Sequence, residues 1–286
     1  MNFSRLLIVA AAALVARVAL AQAPVLEPAP ADADAGEISR RAAAAIVGER
    51  TFYEAALLVH KHGEATQDEV VFRAWYERRS ARSFVRVLAP HGQAGTAFLK
   101  LPPVVWRYAP RDDSIASLTG EALREPWLGS GFRLVDLLDP LAGLGRAPAR
   151  LLGVDATAAA QGGERAYVLE LQPDGDMQGG RVIAWVGTEH ATPQRLDWRD
   201  GKDALVATLR FDDVREVGGR AVPHRWTLTR PAAPNRESRI ELREIRFDPV
   251  FDDAIFTTRQ LLQRGAAAAA GAAQGARLPA SGGSPP

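Results

Sequence analysis

The "HKHGE" stretch puts His60 and His62 two residues apart with Glu64 close behind, the one histidine spacing in the chain suggestive of a metal site. Side chains two apart on a strand point the same way. A zinc site needs three or four converging ligands, however, and this stretch reads as the wet end of a hairpin. His91 and His190 fall in turn-like segments beside Gly92 and Thr192-Pro193, and His224 lies on a strand beside Pro223; none has a carboxylate or thiol partner evident in the sequence. The chain has no cysteine, which excludes thiol catalysis, disulfides and a lipid-modified cysteine. Ser130 is flanked by Gly129 and Gly131, the wrong offsets for a G-x-S-x-G nucleophile elbow. It reads instead as a helix N-cap, with Asp136 in the following turns. "GLGRAP" at 143–148 ends in proline where a dinucleotide fingerprint needs glycine, and H-E-x-x-H is absent. These residues point to no cofactor and no metal, and an enzyme ranks third among the readings because no convergent polar set is visible.

The elements around these residues are mainly strands. Alternation of apolar and polar residues begins at Phe52 and runs through "VFRAWYERR", "SFVRVLAP", "TAFLKL" and "VVWRYAP". It returns in six segments from "ERAYVLEL" (164–171) to "SRIELREIRF" (238–247), separated by turn residues such as Asp200-Gly201 and Gly218-Gly219. Short connections make consecutive strands antiparallel neighbours. The expected fold is mainly β: ten or eleven antiparallel strands in one open sheet that curls, with one face apolar and the other meeting water. Two apolar helical segments, 37–48 and 130–139, are expected to cover the concave face. The second belongs to "EPWLGSGFRLVDLLDP" (125–140), in which Phe132, Leu134, Leu137 and Leu138 recur at helical spacing.

The chain's ends read differently from its middle. Arg5, the apolar run "LLIVAAAALV" and Ala19-Leu20-Ala21 predict a signal peptide over 1–21, hence a periplasmic protein that is soluble after cleavage. The Pro/Ala/Asp-rich 22–36 reads as a disordered linker, 37–262 as the folded domain, and 263–286 as a low-complexity disordered tail. Loss of Arg5 and Arg17 with the signal takes the formal charge from +1 to −1. That balance argues against a nucleic-acid partner, which calls for a basic field.

Six tryptophans stand out. Aromatic residues suit strands, so they could simply fill a packed core. A curved sheet with only two short covering helices would instead leave an apolar pocket suited to acyl chains.

The chain resembles the outer-membrane lipoprotein-sorting protein family, the LolA-like periplasmic carriers. The resemblance rests on "FVRVLAPHGQAGTAFLKL" (84–101), "VWRYAP" (105–110), "WLGSGFRLVDLL" (127–138), "AWVGTEHATPQRLDWRDGK" (184–202), "VGGRAVPHRWTLT" (217–229) and "FDDAIFTTRQL" (251–261). It implies an unclosed β-barrel of about eleven strands, plugged by helices, that shields an acyl chain of a lipid or lipoprotein during transfer towards the outer membrane. Two positions depart from the family pattern: Gly131 stands where the family has aspartate, and Leu128 where it has methionine. The lining expected of the cavity is Val85, Val87, Leu99, Trp106, Tyr108, Trp127, Phe132, Leu137, Trp198 and Trp226. The lid is expected to be Leu128, Gly129, Ser130, Gly131, Leu134 and Leu138. Candidate partners are lipid or lipoprotein acyl chains, an inner-membrane transporter and an outer-membrane acceptor. The alternative is a docking or assembly factor that binds a membrane export protein by its sheet edge and carries no lipid.

Overall fold

The computed structural model describes residues 26–63, 69–139, 141, 143–157, 164–172 and 180–263. The expected signal peptide, residues 22–25 of the expected linker and the tail from residue 264 lie outside the described residues.

Among the described residues thirteen strands form one antiparallel sheet: β1 (Arg50–Lys61), β2 (Val70–Glu77), β3 (Arg82–Ala89), β4 (Ala97–Leu101), β5 (Val104–Ala109), β6 (Ser114–Leu118), β7 (Ala149–Asp155), β8 (Ala166–Leu171), β9 (Arg181–Gly187), β10 (Pro193–Arg199), β11 (Leu205–Val217), β12 (Arg220–Thr229) and β13 (Arg236–Phe247). Two meanders, β1 to β6 and β7 to β13, join where β1 pairs with β13, Leu57 opposite Ile240. The sheet stays unclosed, with β6 at one edge and β7 at the other. The mainly β, unclosed architecture is the expected one, and the two strands beyond the expected eleven are these edges. They escape pattern reading because β6 exposes Ser114 to Ser117 on both faces, while β7 is interrupted by Gly153 and a register shift.

Helix α1 (Ala35–Ile46) is capped by Asp34, whose carboxylate accepts the Glu37 N–H at 2.6 Å. Its apolar stripe, Ile38, Ala42, Ala45 and Ile46, turns inward, and the helix packs against β7 to β10 and β12. Within the expected linker, Glu27 exchanges both backbone hydrogen bonds with Val154 of β7, each 2.9 Å, and Leu26 packs against the β8–β9 side chains. An edge strand offers unpaired N–H and C=O groups, and a Pro-rich segment can still use them.

The inner face holds the main core, with Tyr53, Phe72, Val85, Phe98, Leu169, Val186, Leu209, Trp226 and Ile240 among its buried residues. The outer face is not uniformly wet, contrary to expectation. Phe84, Leu99 and Tyr108 form a second buried cluster there, covered by Phe256 and Leu261 from a 3-10 turn (Asp253–Phe256) and helix α4 (Thr258–Leu262). Arg86, 4% exposed, donates to the carbonyls of Gln260 and Gln263 and ties α4 down.

Residues 119–148 connect β6 to β7 and so travel from one sheet edge to the other. They contain α2 (Glu121–Arg124), a 3-10 turn (Trp127–Gly129) and α3 (Leu134–Leu138). Trp127, Phe132, Leu134, Leu137, Leu138, Leu141 and Leu144 all join the inner core, so this crossover runs over the inner face.

Candidate functional site

Side chains of the sheet and its margin hold backbone groups of the crossover at two places. Gly131 donates its N–H to Ser238 Oγ of β13 at 2.7 Å, and its carbonyl accepts from Arg230 Nη2 at 2.9 Å. A Cβ at position 131 would lie 3.2 Å from Leu228 Cδ2 and 3.3 Å from Ser238 Oγ, so glycine lets the backbone come this close to the sheet. Burial lowers the pKa of the Arg230 guanidinium. At the other end the last carbonyls of α3 are capped from the sheet: Tyr76 Oη donates to Leu137 O, and Ser83 Oγ to Leu138 O at 2.8 Å. Tyr76 also shares a 2.9 Å hydrogen bond with Tyr53, and burial raises the pKa of both phenols.

Ser130 is buried, and its hydroxyl accepts the Phe132 N–H at 3.1 Å. It does not cap the helix as expected. Arg133 holds that position, and the Asp136 carboxylate accepts its N–H at 2.9 Å, because the chain must first fold back at Gly131 before the helix can start. Leu128 (φ +47°) and Leu141 (φ +64°) bracket the covering segment, two non-glycine residues in the left-handed region.

Between crossover and sheet lies an apolar pocket of about 120 Å³. Phe132 and Leu141 roof it; Leu196, Trp198, Leu209, Trp226, Leu228 and Ile240 wall it from β10 to β13, and Arg133, Asp136 and Arg230 stand at its rim. Of the expected lining, Phe132, Trp198 and Trp226 meet here. Val85, Val87, Trp127 and Leu137 lie in the same inner core but do not border this pocket; Trp127 packs edge-on against Phe72 at 5.1 Å. Leu99, Trp106 and Tyr108 belong to the outer cluster and cannot line an inner cavity. Register is the reason: Val85 sits opposite Phe98, whereas Phe84, Leu99 and Trp106 form one cross-strand row on the other face. Of the expected lid, Leu134 and Leu138 are buried and Leu128 is half-buried.

A second, larger space of about 540 Å³ opens between α1 and the crossover and is bordered by Arg40, Arg41, Arg146, Lys100, Leu138 and Leu141, among others. Among the described residues, no group of three or more His, Cys, Asp or Glu could hold a metal ion. His60 and His62 are exposed. His190 does have an acidic neighbour, with its Nδ1 3.5 Å from Glu164 Oε2. No helix among the described residues is long and apolar enough to cross a membrane.

A family model described as an uncharacterized protein matches residues 79–263. No curated protein matches the sequence. Among solved structures, a DUF1329 family protein from Desulfovibrio piger superposes with a TM-score of 0.68 at 20% identity, over 79% of this chain and 97% of that one. A LolA superfamily protein from Nitrosomonas europaea gives 0.67 at 18%, over 80% and 100%. A domain described as an outer membrane lipoprotein-sorting protein from Vibrio parahaemolyticus gives 0.66 at 18%, over 80% and 98%. At these identities the likeness is one of fold, and the fold is LolA-like.

Proposed function

Because the chain belongs to the family of uncharacterized proteins matched over residues 79–263, its function has to be read from its own site, and we propose that it is a periplasmic, non-enzymatic carrier of acyl chains. The observation that carries this reading is the apolar pocket held between Phe132 of the crossover and Trp198 and Trp226 of the sheet. The LolA-like fold of its structural neighbours, one of them described by its role in lipoprotein sorting, supports it.

The pocket alone is too small for a whole chain, since an apolar cavity of about 150 Å³ takes roughly one benzene ring. The Gly131 end of the crossover therefore has to lift. Breaking one neutral and one charge-assisted hydrogen bond costs about 2–4 kcal/mol, and uncovering Phe132 adds about 2–3. Each methylene taken from water returns about 0.8 kcal/mol, so about five to nine methylenes offset the opening. Longer chains bind with a net gain, and selectivity among them is loose because no directional contact to the chain is needed.

The test is native mass spectrometry of the mature protein purified without detergent, followed by organic extraction. A co-purifying species of lipid mass, released on denaturation, is the expected result. A clean apo mass with no uptake of added fatty acid or phospholipid overturns it. The extent to which crossover side chains already fill the inner face favours a second reading in that event: a docking factor that binds an envelope export protein through the edge strand β6.

A further inference from the structure

The cleft between α1 and the crossover combines two chemistries that the apolar pocket lacks. Its apolar wall includes Tyr76, Leu138 and Leu141, and its mouth carries more cations than anions. Gly145 brings the crossover hard against α1: its N–H donates to Ser39 Oγ at 2.8 Å, and an added Cβ would fall 2.7 Å from Ala43 Cβ. Arg146 is thereby set beside the helical turn that carries Arg40 and Arg41.

Local pairing does not neutralise this mouth. Arg40 is matched by Glu37 at 2.9 Å, and Arg78 and Arg82 are matched by Glu49 and Glu77. Lys100 (3.0 Å) and Arg146 share a single carboxylate, Asp139. Arg41 has no ion-pair partner among the described residues. Two positive charges are left over, and guanidinium groups suit phosphate and carboxylate oxygens because their planar forks can donate twice.

Leu141 borders both spaces, with the cationic cleft on one side and the apolar pocket on the other. We propose that the cargo is an anionic amphiphile: its phosphate or carboxylate headgroup sits between Arg41 and Arg146, and its acyl chain passes Leu141 into the pocket beneath Phe132. This deepens the carrier reading and rests on it. Leu141 is the wall the two spaces share, so a chain that displaces it keeps its headgroup in one and its tail in the other, and the surplus charge supplies the sign.

The test compares three probes on the full mature chain by titration calorimetry: dodecyl phosphate, dodecyl maltoside below its micelle concentration, and inorganic phosphate. Dodecyl phosphate is expected to bind about tenfold more tightly than dodecyl maltoside. The double variant Arg41→Gln, Arg146→Gln should erase that preference and leave dodecyl maltoside binding unchanged. Equal affinity for the two amphiphiles in the native chain, or a preference that survives both substitutions, overturns the proposal while leaving the carrier reading intact. Inorganic phosphate binding as tightly as dodecyl phosphate overturns it too, by showing a free-anion site. Failure of both amphiphiles to bind is the separate outcome that removes the carrier reading itself.

Discussion

Arg230, one residue past the end of β12, reaches the carbonyl of Gly131 at 2.9 Å and ties the Gly131 end of the covering segment to the sheet. A guanidinium this enclosed loses hydration, and the hydrogen bond is part of its compensation.

Arg230→Met keeps the aliphatic stem and removes the donor. Stability is expected to fall by about 1–3 kcal/mol, read as a lower urea midpoint with an unchanged slope. Uptake of an apolar fluorescent probe should speed up in the same variant. An unchanged uptake rate would mean that the Gly131 end does not gate the pocket.

The two faces of the sheet separate two tryptophans that look alike in sequence. Trp198→Asp places a carboxylate in the wall of the apolar pocket and should weaken acyl binding by about tenfold or more. Trp106→Ala acts on the outer cluster and should lower stability without altering acyl affinity. The check is a paired measurement of lipid affinity and circular dichroism on both variants; a loss of affinity in Trp106→Ala would contradict the face assignment.

Glu77 accepts hydrogen bonds from Ser80, Arg82 and Arg50, and these hold its carboxyl down at about 2, against an ordinary 4.5. A carboxyl held below its unfolded value adds stability above pH 4.5, and that contribution is lost as pH falls from 4.5 towards 2. Glu77→Gln should be less stable than the native chain at neutral pH and converge with it in acid. Parallel stability curves across pH 2–6 in urea titrations would rule out this linkage.

Arg86 is the buried fastening of the outer face. Arg86→Met removes the guanidinium donor from the Gln260 and Gln263 carbonyls and should cost about 1–3 kcal/mol. Limited proteolysis is expected to cut between 251 and 263 sooner than in the native chain. Cleavage at an unchanged rate would show that Phe256 and Leu261 hold this segment without help.

Period-two patterning made eleven strands legible, because each buries one face and wets the other. It could not show β6 or β7, since an edge strand with little core to contact carries little alternation. Nor could it join faces across strands. Val85 and Val87 were readable as one face, and Leu99 as the partner of Ala97, but only the pairing of Val85 with Phe98 reveals that these faces are opposite. Phe132, Trp198 and Trp226 stand out in the sequence as large side chains, and all three border one pocket. The groups that fasten the crossover, Ser238, Tyr76 and Ser83 from three strands and Arg230 from just past a fourth, are scattered along the chain, and nothing local to any of them marks a shared role. Gly131 was visible as a departure from the family pattern, while its close approach to Leu228 was not.

The seam between β1 and β13 has a consequence for how the protein assembles. Within each meander a strand meets the one just made, so pairing can follow the order of synthesis with short loops to close. Thr51, however, meets Phe247, about 200 residues later, and the entropy of closing so long a loop is met only once both halves present complete edges. β13 is the last of the described strands and bonds to both β1 and β12, so a topological argument puts the joining of the two halves late. Until then the inner edges of both meanders are open backbone, the state in which chains of this kind aggregate.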